Sequence, residues 1–451
     1  MKPAPPAVKA EAKASERVAY VNARLLDPAS GLDGRGALIT EGPRIVALGP
    51  EVLADSVPEG FSVVDCEGHC LAPGLVDMRV QLREPGEEHK ETIATASRAA
   101  AAGGVTTLVA LPNTDPVVDD VAGVEFVARR AREVKLVKVF TYGSVTRRAE
   151  GKELTELGLL AEFGAVAFTD GLRAVANVNV MRRALSYART FDLMIAQQPQ
   201  EPALARGVMN EGQLATRLGL AGSPAAAEVM MVERDLRLVE LTGGRYHAAN
   251  ISTQAAIARL ADAKARGLRV TCDTAPHYFT LNENAVGDYR TFAKVSPPLR
   301  SEDDRRAVAE AVADGTIDSI ASDHSPHDQD SKRLPFELAD FGIVGLESLL
   351  PLSLELAHKG EMALLDLLAC LTCRPAEICG LAAGRLAEGS AADLVLFDLE
   401  RPGRLDPDGF LSKSKNSPFD DHPVQGQVLR TIVDGRTIYQ ADRQDDDQAG
   451  A

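Results

Sequence analysis

The feature that most constrains the fold is a regular alternation of short apolar, β-prone segments with longer helical patterns. The β-prone segments are residues 106–111, 136–142, 165–168, 194–196, 245–251, 269–273 and 319–322. A helical pattern at residues 121–132 separates the first two. Strands that alternate with helices pair in parallel, and this many of them favour a (β/α)8 barrel. The sequence therefore predicts an α/β fold in which residues 71–382 form a TIM-like barrel, with its chemistry at the C-terminal ends of the strands.

Both ends of the chain carry a different pattern, in which short β-branched runs are separated by turn residues. The runs are residues 18–26, 36–40, 44–48, 392–398 and 427–439. We expect them to form one small β-sandwich, whose first part is residues 17–70 and whose second part is residues 383–442. Residues 1–16, rich in Pro, Ala and Lys, and residues 443–451 are predicted to be disordered tails.

Charge and hydropathy exclude several classes of partner. Lys and Arg total 49 against 65 Asp and Glu, so the formal net charge is −16, which argues against general binding to nucleic acid or to anionic membranes. No apolar run approaches the roughly 18 residues of a membrane span, and the N-terminal segment lacks the apolar core of a secretory signal. A cytoplasmic protein is expected.

Three of the six cysteines, Cys370, Cys373 and Cys379, have a spacing that could indicate a metal or redox site. However, residues 364–380 are typical of an amphipathic helix followed by a second helix, with a break at Pro375. We interpret the thiols as small buried apolar groups. Metal or redox chemistry is the alternative.

Several motifs occur in a fixed order along the chain. An apolar run beginning at Leu71 leads into Arg79-Val-Gln81 and then Arg83. Further along are His89-Lys-Glu-Thr-Ile93, Ala101-Ala-Gly-Gly-Val-Thr-Thr107, Pro112-Asn-Thr114 and Ile320-Ala-Ser-Asp-His-Ser-Pro-His327. Together, over residues 17–440, they resemble the dihydroorotase branch of the amidohydrolase superfamily.

The resemblance implies a zinc site whose histidine positions hold other residues here. Active members carry His-x-His where this chain has Arg79 and Gln81. The two further histidine positions correspond to Gln197, with Gln198 as an alternative, and to Asn250. Guanidinium has no lone pair to donate, and an amide oxygen is a poor zinc ligand. No cofactor is therefore expected.

Two carboxylates of the family pattern remain, Asp170 at the metal-bridging position and Asp323 at the proton-shuttling position. Without a dication, two carboxylates in a confined barrel mouth would lack counter-charge. We hypothesise that the guanidinium of Arg79 replaces the metal charge and bonds bidentately to one of them. An Arg79 that points into solvent is the alternative.

The resemblance also assigns substrate contacts to Arg83, Asn113 and His327. Arginine suits this role because its planar fork pairs with a carboxylate. A purely structural role for these residues is the alternative. Ser296 departs from the dihydroorotase pattern, in which Asn is usual at this position, and this leaves specificity for a ureide ring open.

The resulting functional expectation is a dihydroorotase-like protein of pyrimidine biosynthesis that is non-catalytic, with Asp323 as a vestigial catalytic group. The family contains degenerate members that stabilise aspartate carbamoyltransferase, so that enzyme is the expected partner, and a homo-oligomer is expected as well. Two alternatives stay open. One is an active cyclic amidohydrolase with a rebuilt site around Asp323 or around His247, His277, His324 and His327. The other is a sensor that binds dihydroorotate or carbamoyl aspartate.

Overall fold

The computed structural model describes residues 17–53 and 57–441. The strands are β1 (Arg17–Asp27), β2 (Leu32–Glu41), β3 (Arg44–Gly49), β4 (Ser62–Asp65), β5 (Cys70–Pro73), β6 (Leu75–Val80), β7 (Val105–Ala110), β8 (Lys138–Gly143), β9 (Ala165–Phe168), β10 (Met194–Gln197), β11 (Met209–Asn210), β12 (Gly222–Ser223), β13 (Arg245–Ala248), β14 (Val270–Thr274), β15 (Ser319–Ile320), β16 (Leu394–Arg404), β17 (Pro423–Val433) and β18 (Arg436–Gln440). The helices are α1 (Ile93–Ala102), α2 (Val121–Val134), α3 (Leu157–Glu162), α4 (Val178–Thr190), α5 (Gln213–Leu218), α6 (Ala226–Thr242), α7 (Gln254–Ala265), α8 (Pro276–Thr280), α9 (Glu302–Ala313), α10 (Gln329–Lys332), α11 (Leu349–His358), α12 (Leu364–Leu371) and α13 (Cys373–Ile378).

The predicted barrel is confirmed. Eight parallel strands follow one another in the order β6-β7-β8-β9-β10-β13-β14-β15, and a parallel bridge between Val80 and His324 joins the last strand region to the first. Every residue of β6 and β7 is buried, as expected for strands covered on both faces. No helix in the described part of the chain is long and apolar enough to cross a membrane.

Local capping fixes where the helices of the barrel begin. Thr92 and Thr95 form a reciprocal capping box at the start of α1. The Asp120 side chain accepts a hydrogen bond from Gly123 N at the start of α2. Such caps satisfy backbone N–H groups that have no partner within the helix. The caps also fix the ends of the loops that precede these helices. Those loops contain polar residues of the barrel mouth.

Both ends of the chain contribute to a second β-structure, as predicted. Its strand order is β18-β17-β16-β5-β1-β2-β3, with β4 paired to β1. Antiparallel pairing of β16 with β5 joins the two ends. The β-structure has its own apolar core, which includes Tyr20, Leu38 and Ile432. The predicted tails, residues 1–16 and 443–451, lie outside the described residues.

The helical break near the C-terminus of the barrel lies at a different residue from the one predicted. Helix α12 ends at Leu371, and Thr372 separates it from α13 with φ −131° and ψ −88°. Pro375 lies inside the first turn of α13, where its missing N–H removes no helical hydrogen bond. Cys370 and Cys379 carry free, buried thiols. Burial raises the pKa of Cys370 to about 11 and that of Cys379 to about 12, as expected for inert apolar groups.

Candidate functional site at the barrel mouth

Four polar residues meet where the barrel strands end. Arg79 lies in β6, and Gln198, Asn250 and Asp323 lie shortly after β10, β13 and β15. All four side chains are buried. A cavity of about 670 Å³ adjoins one of them, because Gln198 forms part of its wall together with Ser296. The barrel therefore brings these sequence-distant residues together at one rim, as its topology requires.

Arg79 forms an ion pair with Asp323. Its Nε donates to Asp323 Oδ1 at 2.9 Å, while its Nη2 donates to Gln198 Oε1 at 2.6 Å. Gln198 in turn donates from Nε2 to Ser296 Oγ at 3.2 Å. The predicted counter-charge role is therefore observed, but the predicted bidentate geometry is wrong, because the guanidinium divides its donors between a carboxylate and an amide. The alternative of a solvent-exposed Arg79 is also wrong.

Burial and pairing oppose one another in this ion pair. Burial raises the pKa of Asp323, although the neighbouring Arg79 charge and hydrogen bond lower it. Burial disfavours the charge on Arg79 as well, but the Asp323 and Asp273 carboxylates raise its pKa. His277 Nε2 lies 4.0 Å from Asp323 Oδ2. Burial, with a smaller contribution from Arg79, lowers the pKa of His277 to about 3, so this imidazole is neutral at physiological pH.

Of the two carboxylates that could have paired with Arg79, Asp323 is the observed partner, and Asp170 has other hydrogen-bond partners. Its Oδ1 accepts hydrogen bonds from Ser144 Oγ and from Thr146 N, each at 2.8 Å, and its Oδ2 accepts one from Thr146 Oγ1. These donors follow β8, immediately beside the strand that precedes Asp170. Neutral donors thus satisfy this carboxylate, and it needs no cation.

Gln198, rather than Gln197, has its side chain at the barrel mouth beside Arg79. The Gln197 side chain points away from the mouth, where its Oε1 accepts from Val175 N at 2.7 Å and its Nε2 donates to Asp235 Oδ2 at 2.5 Å. Successive side chains of an extended segment point to opposite sides. The assignment of Gln197 to the former ligand position is therefore corrected by one residue.

Asn250 lies beside the ion pair and is held by strained backbone. Its side chain lowers the pKa of Asp323, yet its amide atoms make no well-formed hydrogen bond within the described structure. Asn250 and Asp323 adopt φ values of +56° and +50°, and Arg83 adopts +60°. Left-handed backbone is uncommon in residues other than glycine and concentrates at functional sites.

The three predicted substrate contacts form a second cluster beside the first. Ser325 Oγ accepts from Gln81 Nε2 at 2.8 Å and from Arg83 Nη2 at 3.2 Å. Asn113 Nδ2 donates to Gln81 Oε1 at 3.0 Å, and Arg83 Nη2 lies 3.0 Å from His327 Nε2. Gln81 thus connects Asn113 to the pair formed by Arg83 and His327.

Three further residues hold this cluster and were missed by sequence reasoning. Glu87 Oε2 accepts from Arg83 Nη1 at 2.8 Å. Asp340 Oδ2 lies 3.0 Å from His327 Nδ1. Asn416, from the second β-sandwich segment, donates to Ser325 O at 2.9 Å and accepts from His327 N at 3.0 Å. The Glu87 contact spans four residues and was open to inference, whereas nothing in the local sequence indicates the role of Asn416.

The zinc implied by the family does not fit these residues. Arg79 is already paired with the Asp323 carboxylate. The Asp170 carboxylate already accepts hydrogen bonds from two hydroxyl groups and a backbone N–H group. The remaining histidines are dispersed: His247 pairs with Asp273 at 3.1 Å, and His324 lies 3.5 Å from Glu91. Among the described residues no three His, Cys, Asp or Glu side chains are arranged to hold a metal ion. These residues therefore offer zinc no adequate ligand set.

Two buried lysines fix the loop that carries Asp340. Lys294 Nζ and Lys332 Nζ donate to the backbone carbonyls of residues 336, 337, 339, 340 and 342, at distances between 2.6 and 3.1 Å. Both side chains are almost wholly inaccessible. Burial lowers the pKa of Lys332 to about 7, with a smaller contribution from the Lys294 charge.

This lowered pKa makes stability depend on pH. Between about pH 7 and the ordinary lysine pKa of 10.5, the unfolded chain binds a proton at Lys332 that the folded chain has lost. Stability therefore rises with pH in this window, by roughly 1 kcal/mol per pH unit. The variant Lys332→Met should lose this rise in denaturant melts between pH 7.5 and 9, whereas the exposed control Lys359→Met should keep it. Parallel curves for wild type and Lys332→Met would contradict the assignment.

Comparison with known proteins agrees with this fold and these motifs. Residues 68–256 match the family described as dihydro-orotase-like. A protein named dihydroorotase from Anaplasma phagocytophilum (strain HZ) is 49% identical over 430 residues, which cover 94% of this chain and 96% of that protein. A second protein of that name, from Wolbachia sp. subsp. Drosophila simulans (strain wRi), is 47% identical over 429 residues, covering 95% of this chain and 96% of its own. The chain belongs to the dihydroorotase family.

Solved structures share the fold of this dihydroorotase-family protein. The structure of L-hydantoinase from Arthrobacter aurescens superposes with a TM-score of 0.84 at 23% identity, covering 94% of this chain and 96% of that chain. The structure of dihydropyrimidinase from Brevibacillus agri superposes with a TM-score of 0.80 at 20% identity, covering 94% and 95%. At this identity the likeness supports the barrel and its bracketing β-structure.

Proposed function

We propose that this dihydroorotase-family protein does not catalyse metal-dependent ring opening and serves pyrimidine biosynthesis as a structural partner. The observation that carries the proposal is the buried ion pair of Arg79 with Asp323. A guanidinium supplies positive charge without a lone pair for a metal. It also holds the carboxylate that would otherwise be free to move a proton.

The second candidate is a working dihydroorotase with a rebuilt site, and the names of the relatives favour it over the first. Eight relatives that are 44% to 49% identical to this chain are named dihydroorotase. In this candidate Asp323 would move the proton. Arg79 would polarise the ring carbonyl as a fixed positive charge. The strained backbone at Asn250 and Asp323 is compatible with such a role.

The proposed partner is aspartate carbamoyltransferase, and we also propose self-association. Support comes from family membership and from a large fold whose barrel and terminal β-structure remain well packed around the altered site. Co-expression with the carbamoyltransferase of the same organism, followed by size-exclusion chromatography, is expected to give a co-migrating complex. A carbamoyltransferase that is assembled and fully active alone, and never co-migrates, would contradict the partnership.

The cavity above Gln198 supports a third role, the binding of dihydroorotate or carbamoyl aspartate without turnover. Arg173 belongs to its wall and suits a carboxylate, while Lys152 in the same wall is paired with Glu150 at 3.1 Å. Arg83, Asn113 and His327, by contrast, are engaged with one another and with Glu87 and Gln81. A thermal-shift titration with the two compounds tests this role. Stabilisation that disappears in Arg173→Ala supports it, and an unchanged melting temperature contradicts it.

A further inference from the structure

The ring of helices around the barrel has a gap beside β8. Helix α3 has six residues, whereas its neighbours α2 and α4 have 14 and 13. The first three residues of β8 are only half-buried, while β7 beside it is buried throughout. The outer face of a barrel strand is normally covered by a helix. Here that cover is incomplete.

The gap is a continuous groove along α2. Two cavities of about 520 and 590 Å³ share Ala128, Arg132 and Phe163 in their walls. The floor of the first is apolar and includes Val127, Phe140 and Val433. Phe163 projects from the end of α3 and is 44% exposed. The 14 residues of α2 extend over about 21 Å, which is the length of a partner helix of about four turns.

Positive charge surrounds this apolar floor. The walls of the two cavities carry five cations, Arg129, Arg132, Lys135, Lys138 and Arg436, against the two carboxylates Glu125 and Asp434. Lys138 is compensated, because it pairs with Asp434 at 2.9 Å and with Asp393 at 2.6 Å. Four cations therefore remain against Glu125. The rim is therefore positively charged, although the whole chain has a formal net charge of −16. A positively charged rim favours an acidic partner.

We propose that this α2 groove binds an amphipathic helix of another protein, with apolar residues on one face and acidic residues along its edges. The helix would complete the cover of β8 and place its carboxylates against the basic rim. A twofold contact between two copies would bring the same patch of each copy together, and would therefore oppose like charges. The inference is independent of whether the barrel mouth is catalytic.

A synthetic peptide probe tests the proposal. The probe is a fluorescein-labelled 15-residue helix with Leu and Ala on one face and Glu on the other, and its counterpart carries Lys in place of Glu. Fluorescence anisotropy with the full chain at low salt should give micromolar binding of the Glu peptide and at least tenfold weaker binding of the Lys peptide. Equal binding of both peptides, or binding of neither, would overturn the proposal.

Variants locate the binding site. Ala128→Arg fills the groove and should weaken binding of the Glu peptide at least tenfold, and Arg132→Glu should weaken it several-fold because it reverses one rim charge. Matched controls on exposed positions of other helices, Ala258→Arg in α7 and Arg237→Glu in α6, should bind as wild type does. Unchanged binding by Ala128→Arg and Arg132→Glu would overturn the proposal.

Two other occupants give distinct results. If sedimentation shows a dimer that Ala128→Arg dissociates, a second copy covers the groove and the proposal fails. If decanoate binds in a manner sensitive to Ala128→Arg while the Glu peptide does not bind, the groove takes a small apolar anion and the proposal fails.

Discussion

Replacing Arg79 with alanine is expected to lower the free energy of unfolding at neutral pH by about 3 to 5 kcal/mol. The substitution leaves the Asp323 carboxylate buried without its cation and leaves Gln198 Oε1 without its donor. Asp323 should be the only one of the two carboxylates left without a partner, because Asp170 keeps its hydrogen bonds from Ser144 and Thr146. Urea melts measure it. Arg237→Ala, at an exposed position in α6, is the control and should change stability by less than about 0.5 kcal/mol.

The loss of stability in Arg79→Ala should depend on pH, because the Asp323 carboxyl group is charged at high pH and neutral at low pH. Burial raises the folded-state pKa of Asp323 even with Arg79 present, and removing Arg79 should raise it further. As pH falls through that higher value, the carboxyl in the variant binds a proton and the penalty of an unpaired charge disappears. The difference between wild type and Arg79→Ala should therefore be larger at pH 8 than at pH 5.

A double variant separates the ion pair from packing. Arg79→Met combined with Asp323→Leu removes both buried charges, and should recover most of the stability that Arg79→Ala loses. Equal stability of wild type and Arg79→Ala at pH 8 would contradict the role of Arg79 as a counter-charge. A double variant less stable than Arg79→Ala would show that the two side chains act mainly by filling space.

Restoring histidine at all former ligand positions is expected to create a zinc site, whereas restoring part of the set is not. Arg79→His with Gln81→His should leave the chain without stoichiometric zinc, because the other two ligand positions still hold the amides of Gln198 and Asn250, and amide oxygens are poor zinc ligands. Adding Gln198→His and Asn250→His should give about one zinc per chain. Zinc would then supply the positive charge that Arg79 provides now. Because zinc binds only the folded chain, zinc at 100 times its dissociation constant should add about 2.7 kcal/mol to the free energy of unfolding.

The structure supplies a matched control for this series. A fourfold variant with Gln197→His in place of Gln198→His has the same composition, but residue 197 faces Asp235 outside the mouth. This control should bind markedly less zinc than the Gln198→His version, because one of its four imidazoles lies outside the mouth, while it retains the circular dichroism of a folded barrel. If it binds zinc and the Gln198→His version does not, the assignment of residue 198 to the site is wrong.

Sequence reasoning predicted the fold well because its signals are local and periodic. The apolar segments that became β7 to β10 and β13 to β15 alternate with helical patterns, and a parallel barrel follows from that order. The break between α12 and α13 was misplaced, since proline marks it less well than the non-helical backbone of Thr372. Proline is tolerated in the first turn of a helix, so Pro375 alone could not locate the break.

The candidate site was predicted in outline, and its details depend on long-range contacts. The motifs identified Arg79 and Asp323, which lie 244 residues apart in sequence and pair in the structure. Register decided between Gln197 and Gln198, and a shift of one residue reverses the direction of a side chain. The donors that satisfy Asp170 and the support of His327 by Asn416 come from other elements of the fold. No local pattern contains them.

The zinc content of the purified protein, measured by elemental analysis together with an assay of dihydroorotate ring opening and closure, tests the central claim most directly. With Arg79, Gln81, Gln198 and Asn250 where ligands would stand, we expect well under one equivalent of zinc and no turnover in either direction. One equivalent of zinc, with turnover that a chelator abolishes and zinc restores, would contradict the account. Turnover without bound metal would instead establish the rebuilt dihydroorotase site.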